Sequence, residues 1–195
     1  IIGTRPDCAG SEVMDYLERL NRQTFMIVEY GIESVSDQTL LRVNRGHDFE
    51  CSQRAIAETH NRGILTCGHI ILGLPGESAE DNIRQADVVS SLELDILKLH
   101  QLQIIRGTQL AEEYCREPFK LYTADEYIDL CIRYLERLRN DIIVERFVSQ
   151  SPADMLIAPK WGLKNYEFTN RLVNEMKRRG TWQGRLISSS VSSTY

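Results

Sequence analysis

Short apolar runs alternate with amphipathic helical stretches from Ile1 to about Leu138, and this alternation limits the folds open to the chain more than any single motif does. The apolar runs read as strands at Ile1–Thr4, Phe25–Tyr30, Leu65–Leu72, Asp95–Leu102 and Ile142–Phe147. They are apolar almost throughout, as strands covered on both faces are, and the helices between them predict a parallel sheet with crossovers. The first helix starts at Ser11, with Val13, Met14, Leu17 and Leu20 at helical spacing on one face. Ser36 is expected to cap the next, with Leu40, Leu41 and Val43 inward and Gly46 as its left-handed terminus. A third runs from Phe49 to Arg62 and stops at Gly63. Ser78 to Asp81 and Thr123 to Glu126 are capping boxes, and a last helix spans Tyr166 to Arg179 with Phe168, Leu172, Val173 and Met176 apolar. The predicted class is α/β: a partial (β/α) barrel of the TIM type over 1–140, with parallel strands and outer helices. A strand and helix extension covers 141–187, and a disordered polar tail covers 188–195.

Composition narrows the partners. A formal charge of -5 argues against a surface that holds nucleic acid by general phosphate attraction. No apolar run approaches the length of a membrane span, so a cytoplasmic protein is expected. The five cysteines, Cys8, Cys51, Cys67, Cys115 and Cys131, are scattered and form no Cys-x-x-Cys pair, which fits reduced, buried thiols and no metal site or cluster held by this chain alone. Because the chain opens on the strand-like Ile1-Ile2-Gly3, further sequence upstream is expected. A barrel cut there leaves a bare strand edge that invites self-association.

In such barrels the chemistry sits at the carboxyl ends of the strands. Pro6 holds Arg5 extended and aims Thr4, Arg5 and Asp7 at the mouth, though taken on its own a Gly-Thr-Arg-Pro-Asp segment reads first as a plain turn. Glu29-Tyr30-Gly31-Ile32-Glu33 ends the second strand with two carboxylates flanking a glycine that permits close approach by a ligand. Arg45 of Asn44-Arg45-Gly46-His47 is placed either to pair with a mouth carboxylate or to lie on the surface at a helix terminus. His69 lies on the strand that runs into Gly73-Leu74-Pro75-Gly76-Glu77, and Lys98, His100 and Gln103 alternate with apolar residues along the fourth. Interior polar residues need partners, so this array predicts a wet cavity.

Taken in order and spacing, Glu29 to Ser34, Asn44 to His47 and Ile70 to Glu77 resemble the radical S-adenosylmethionine (SAM) superfamily. Within it the chain is similar to a YhcC-like group of uncharacterised proteins, related to elongator-type tRNA-modifying enzymes and oxygen-independent coproporphyrinogen oxidases, and corresponds to the C-terminal part alone. The resemblance implies SAM contacts from Glu33, Arg45, His69 and Gln103, with Thr4 and Arg5 at the mouth nearby. In the porphyrin-oxidising relatives Gln stands at the first of these positions and Asp at the third. The family's three-cysteine motif is absent, so ligands for a [4Fe–4S] cluster are expected upstream. The complete protein is then expected to be a radical SAM enzyme that takes electrons from a donor such as flavodoxin or ferredoxin and acts on a small molecule, a protein or tRNA. Two other readings of the residues remain: a barrel enzyme using His69, His100 and Glu33 for acid–base or metal chemistry, and a non-catalytic binding module.

Overall fold

The computed structural model describes residues 1–187, so the tail expected over 188–195 lies outside the described residues. Strands β1 (Ile2–Thr4), β2 (Ile27–Glu33), β3 (Leu65–Leu72), β4 (Ile96–Gln101), β5 (Ile104–Ile105), β6 (Ile143–Arg146) and β7 (Leu156–Ala158) form two sheets. The larger is parallel throughout, in the order β1-β2-β3-β4-β6, with β1 and β6 as its edges. The smaller is an antiparallel ribbon of β5 and β7.

Helices α1 (Ser11–Asn21), α2 (Asp37–Arg42), α3 (Phe49–Asn61), α4 (Ala79–Ser90), α5 (Gln109–Arg116), α6 (Ala124–Arg137) and α7 (Asn165–Arg179) connect and cover them. Val28, Tyr30 and Ile32 of β2, Ile70 and Leu72 of β3, and Leu97 and Leu99 of β4 pack in one core with Met14, Ile56, Ile83, Tyr134 and Phe168 from the helices. Strand side chains alternate, so the intervening residues Glu29, Gly31, Glu33, Cys67, His69, Ile71, Lys98 and His100 share the opposite face. This is the inner face of a partial TIM-like barrel, and it carries the polar residues.

Both predicted capping boxes form, at Ser78 with Asp81 and at Thr123 with Glu126; a Ser or Thr cap contributes about 1 kcal/mol. Several local expectations are corrected. The second strand runs to Glu33 through a register shift between Gly31 and Glu33, so Glu29 sits mid-strand, while Phe25 lies outside it and is exposed. Leu40 is buried as expected, but Leu41 is 83% exposed, because α2 is only six residues long and turns just one of the two leucines inward. Val13 and Val173 are also exposed on helices whose inner faces are made by Met14, Leu17, Phe168 and Leu172. Of the cysteines, Cys67 and Cys131 are buried, but Cys8 and Cys115 are exposed and Cys51 is partly buried. The β5–β7 ribbon and α5, for which the sequence offered no distinct signal, enclose a second small core of Leu74, Leu102, Ile104 and Ala111.

Candidate active-site face

Arg45 owes its position to the end of α2. Asn44 takes the left-handed conformation at φ 54°, its N–H bonds to the Leu41 carbonyl at 3.1 Å, and the Arg45 N–H bonds to the Leu40 carbonyl at 2.9 Å. Asn44, not Gly46, therefore terminates the helix, in the doubly bonded Schellman arrangement, and Arg45 is the residue it redirects. The Arg45 guanidinium crosses back to β2, donating from Nη2 and Nε to the Gly31 carbonyl at 2.7 and 3.3 Å, with Nη2 3.4 Å from Glu33 Oε1. Of the two placements open to Arg45, the structure adopts the carboxylate pair.

Glu33 is itself held in an uncommon backbone state, φ 68°, which for a non-glycine residue costs on the order of 1 kcal/mol and needs support from its surroundings. The support comes from the next loop. Ser34 Oγ donates to Glu77 Oε1 at 2.5 Å, Gln85 Nε2 donates to Glu77 Oε2 at 2.9 Å, and the Ser36 N–H donates to Ser34 Oγ at 3.0 Å. Burial raises the Glu33 carboxyl above the usual range against the pull of Arg45, and burial raises Glu77 likewise, against the hydrogen bonds from Ser34, Thr39 and Gln85. Glu33, Arg45 and Gln103 line one cavity of about 450 Å³ together with Ile71, Leu74 and Leu102. Gln103 lies beyond the end of β4, where it bonds to the Ser149 carbonyl and the Ser151 hydroxyl.

A second cluster lies deeper on the same face. Lys98 bonds to Glu29 and stands 3.2 Å from Glu145. The rings of His69 and His100 stack with centroids 5.1 Å apart, and His69 Nε2 lies 3.5 Å from Glu29 Oε2 without forming a hydrogen bond. Burial pushes the Glu29 carboxyl up, but Lys98, His69 and Arg146 outweigh it and hold the group below its ordinary value. Burial lowers His69, and burial together with Arg146, His69 and Lys98 lowers His100 to about 4, so both imidazoles are neutral near pH 7. The histidines expected to work with Glu33 are thus grouped with Glu29 instead, because Glu29 lies one inner-face position before Gly31, the residue opposite His69.

Thr4 and Arg5 end β1 at the rim. Arg5 Nε donates to Asp7 at 2.9 Å, so Arg5 is turned along its own loop, half exposed. Residues 4 and 5 do not line the cavity of Glu33, Arg45 and Gln103.

A nucleoside ligand fits the upper station. The carboxylate of Glu33 and the guanidinium of Arg45 offer complementary charge beside an apolar wall, and the absent side chain of Gly31 leaves the space that these two groups fill. An iron–sulfur cluster does not fit the thiols of this chain: among the described residues no group of three potential ligand side chains contains more than one cysteine. Glu29, Cys67 and His69 do place three potential ligand atoms within 4.8 Å of one another. Lys98 already serves as the cation there, however, and burial pushes the Cys67 thiol up to about 12, far from the thiolate that a metal needs.

Comparisons with known proteins agree with this architecture. The profile of the Radical SAM superfamily matches residues 1–86, and that of the Radical_SAM C-terminal domain matches residues 94–178. The uncharacterized protein YtqA of Bacillus subtilis is 34% identical over 95% of this chain and 58% of its own length, and YhcC of Escherichia coli is 30% identical over 94% and 61%. This chain therefore spans about three-fifths of the curated relatives it matches. The structure of the archaeal Methanocaldococcus infernus Elp3 with an N-terminal deletion superposes with a TM-score of 0.80 at 23% identity, covering 93% of this chain and 42% of that one, and so shares the fold. With both profiles in chain order on a parallel half-barrel whose inner face is polar, the chain belongs to the radical SAM superfamily and corresponds to the C-terminal part of its family pattern.

Proposed function

We propose that this chain forms the SAM-facing and substrate-facing wall of a radical SAM enzyme. The observation that carries this reading is the Arg45 guanidinium braced on the Gly31 carbonyl beside Glu33, at the carboxyl end of β2 and on a cavity that Gln103 also lines. In this reading a [4Fe–4S] cluster in the complete enzyme would pass one electron from a donor such as flavodoxin or ferredoxin to SAM, and cleavage to methionine would leave a 5′-deoxyadenosyl radical able to abstract hydrogen from the substrate.

The residues here bind and orient. Glu33 accepts hydrogen bonds from ribose hydroxyls or an amino group, and Arg45 fixes the carboxylate that does so. Ile71, Leu74 and Leu102 exclude water from one side of the ligand. His69 and Gln103 complete the polar contacts in this reading, and Thr4 and Arg5 stand at the rim. The substrate is a small molecule, a protein or tRNA. The elongator-type resemblance keeps tRNA in this set, while the charge of -5 weighs against an extended RNA surface. A cytoplasmic location is proposed with it; among the described residues no helix is long and apolar enough to cross a membrane. The free edge of β1 is proposed to invite self-association when left bare.

The test is an anaerobic assay of 5′-deoxyadenosine formation by the full-length, cluster-reconstituted protein, with SAM affinity measured beside it. Arg45→Ala is expected to weaken SAM binding about ten-fold, the usual scale for a charge-assisted contact. Unchanged affinity removes Arg45 from the site, and a folded, cluster-loaded protein that makes no product overturns the enzymatic reading.

A further inference from the structure

Three buried nitrogens on the inner face have no hydrogen-bond partner among the described residues: Nε2 of His69 on β3, Nε2 of His100 on β4 and Nε of Arg146 on β6. Register makes them neighbours. His69 is opposite Lys98 and Lys98 is opposite Arg146, and the two imidazoles stack at 5.1 Å. Leaving one buried polar group unpaired costs on the order of 1–3 kcal/mol, so native proteins seldom gather several in one patch unless something outside the chain pairs with them.

The charge pattern says what that partner is. Both nearby carboxylates, Glu29 and Glu145, are engaged by Lys98. Among the described residues Arg146 forms no ion pair or hydrogen bond: it acts on Glu29 only at a distance, so its fork stands open beside two imidazoles that burial keeps neutral, with Glu29 Oε2 3.5 Å from His69 Nε2. Another cation is repelled by Arg146 and Lys98, and an apolar ligand leaves the three nitrogens unpaired. A planar or tetrahedral oxyanion satisfies the guanidinium fork and accepts from the imidazoles at once.

We propose that Arg146, His100 and His69 form an oxyanion-binding subsite that takes a carboxylate or phosphate group of a molecule bound in the barrel. The subsite deepens the function proposed above and rests on it for the identity of the cavity, yet oxyanion binding is measurable with no SAM present. It lies on β3, β4 and β6, on the inner face also bordered by Glu33 and Arg45.

The test follows the imidazole resonances of His69 and His100 by NMR in the full-length protein while inorganic phosphate or acetate is added, with chloride at matched ionic strength as control. Saturable shifts with phosphate or acetate are expected and no comparable shift with chloride. Arg146→Gln is expected to weaken the response about ten-fold or more, and Arg146→Lys, which keeps the charge but loses the fork, by a smaller factor. Equal shifts with chloride, or a phosphate midpoint unchanged in Arg146→Gln, overturn the subsite. Should Arg146→Gln not fold, the Arg146→Lys midpoint decides, an unchanged value again overturning it. Two further arms identify the source. Loss of affinity for SAM but not for decarboxylated SAM in Arg146→Gln assigns the oxyanion to the SAM carboxylate, and equal affinity for both in wild type and variant assigns it to the substrate. Arg45→Ala separates the two proposals: unchanged SAM affinity there with an intact phosphate response sinks the SAM assignment and leaves the oxyanion subsite standing.

Discussion

The guanidinium of Arg45 rests on the backbone carbonyl of Gly31, 2.7 Å from Nη2 to oxygen, in space that only a residue without a side chain leaves free. A Cβ at position 31 would clash with Arg45 Nη2 and lie 2.6 Å from Glu33 Oε1. Gly31→Ala is therefore expected to displace both side chains while leaving the outer core untouched. Calorimetric titration should show SAM affinity reduced about ten-fold, and thermal unfolding should show only a modest loss of stability.

Lys98 is 7% exposed and Glu29 14%, so each depends on the other's charge. Lys98→Met leaves the Glu29 carboxylate buried without its main partner, a change that costs about 3 kcal/mol in comparable sites. Glu145, nearly half exposed, can turn to water instead. The double variant Glu29→Gln/Lys98→Met is expected to recover at least half of the loss, measured by urea unfolding of both single variants and the pair.

Glu77 joins the loop after β3 to the loop after β2 through Ser34 and Gln85. Glu77→Ala should cost about 2 kcal/mol through the buried groups left unpaired. It should also loosen the left-handed backbone at Glu33, which amide hydrogen exchange over residues 32 to 36 would report as faster exchange.

Stability should fall on mild acidification because of the imidazole pair. His100 titrates near 4 in the folded state against 6.5 ordinarily, so between these values the unfolded chain binds a proton that the folded chain refuses. The contribution is fully present above about pH 6.5 and is lost as pH falls through 4, on the order of 3 kcal/mol in all. His69 acts in the same direction. Glu33 and Glu77 act in the opposite one, since their raised values favour the folded state at low pH. Comparing unfolding free energies of wild type and His100→Gln from pH 7 to 4.5 isolates the term, and the variant should show the shallower dependence.

The sequence by itself determined the β/α order, four of the five strands of the larger sheet to within one residue, both capping boxes, and the segments from which polar groups reach the inner face. These are legible because period and cap chemistry are local: a strand alternates every second residue, and a cap needs only the hydroxyl and carboxylate three positions away. The tertiary structure alone decided which polar groups meet. Glu29 and Glu33 differ by four residues along one strand, yet strand register assigns the histidines and Lys98 to the first, and the redirected end of α2 assigns Arg45 to the second. Leu41 points outward for a similar reason, because in a helix of six residues the packing of a single neighbour, Leu40, sets the rotation. Arg146 shows the limit most plainly: within Ile143–Arg146 nothing marks it as more than a strand's last charged residue, and its place beside His100 exists only once β4 and β6 are paired.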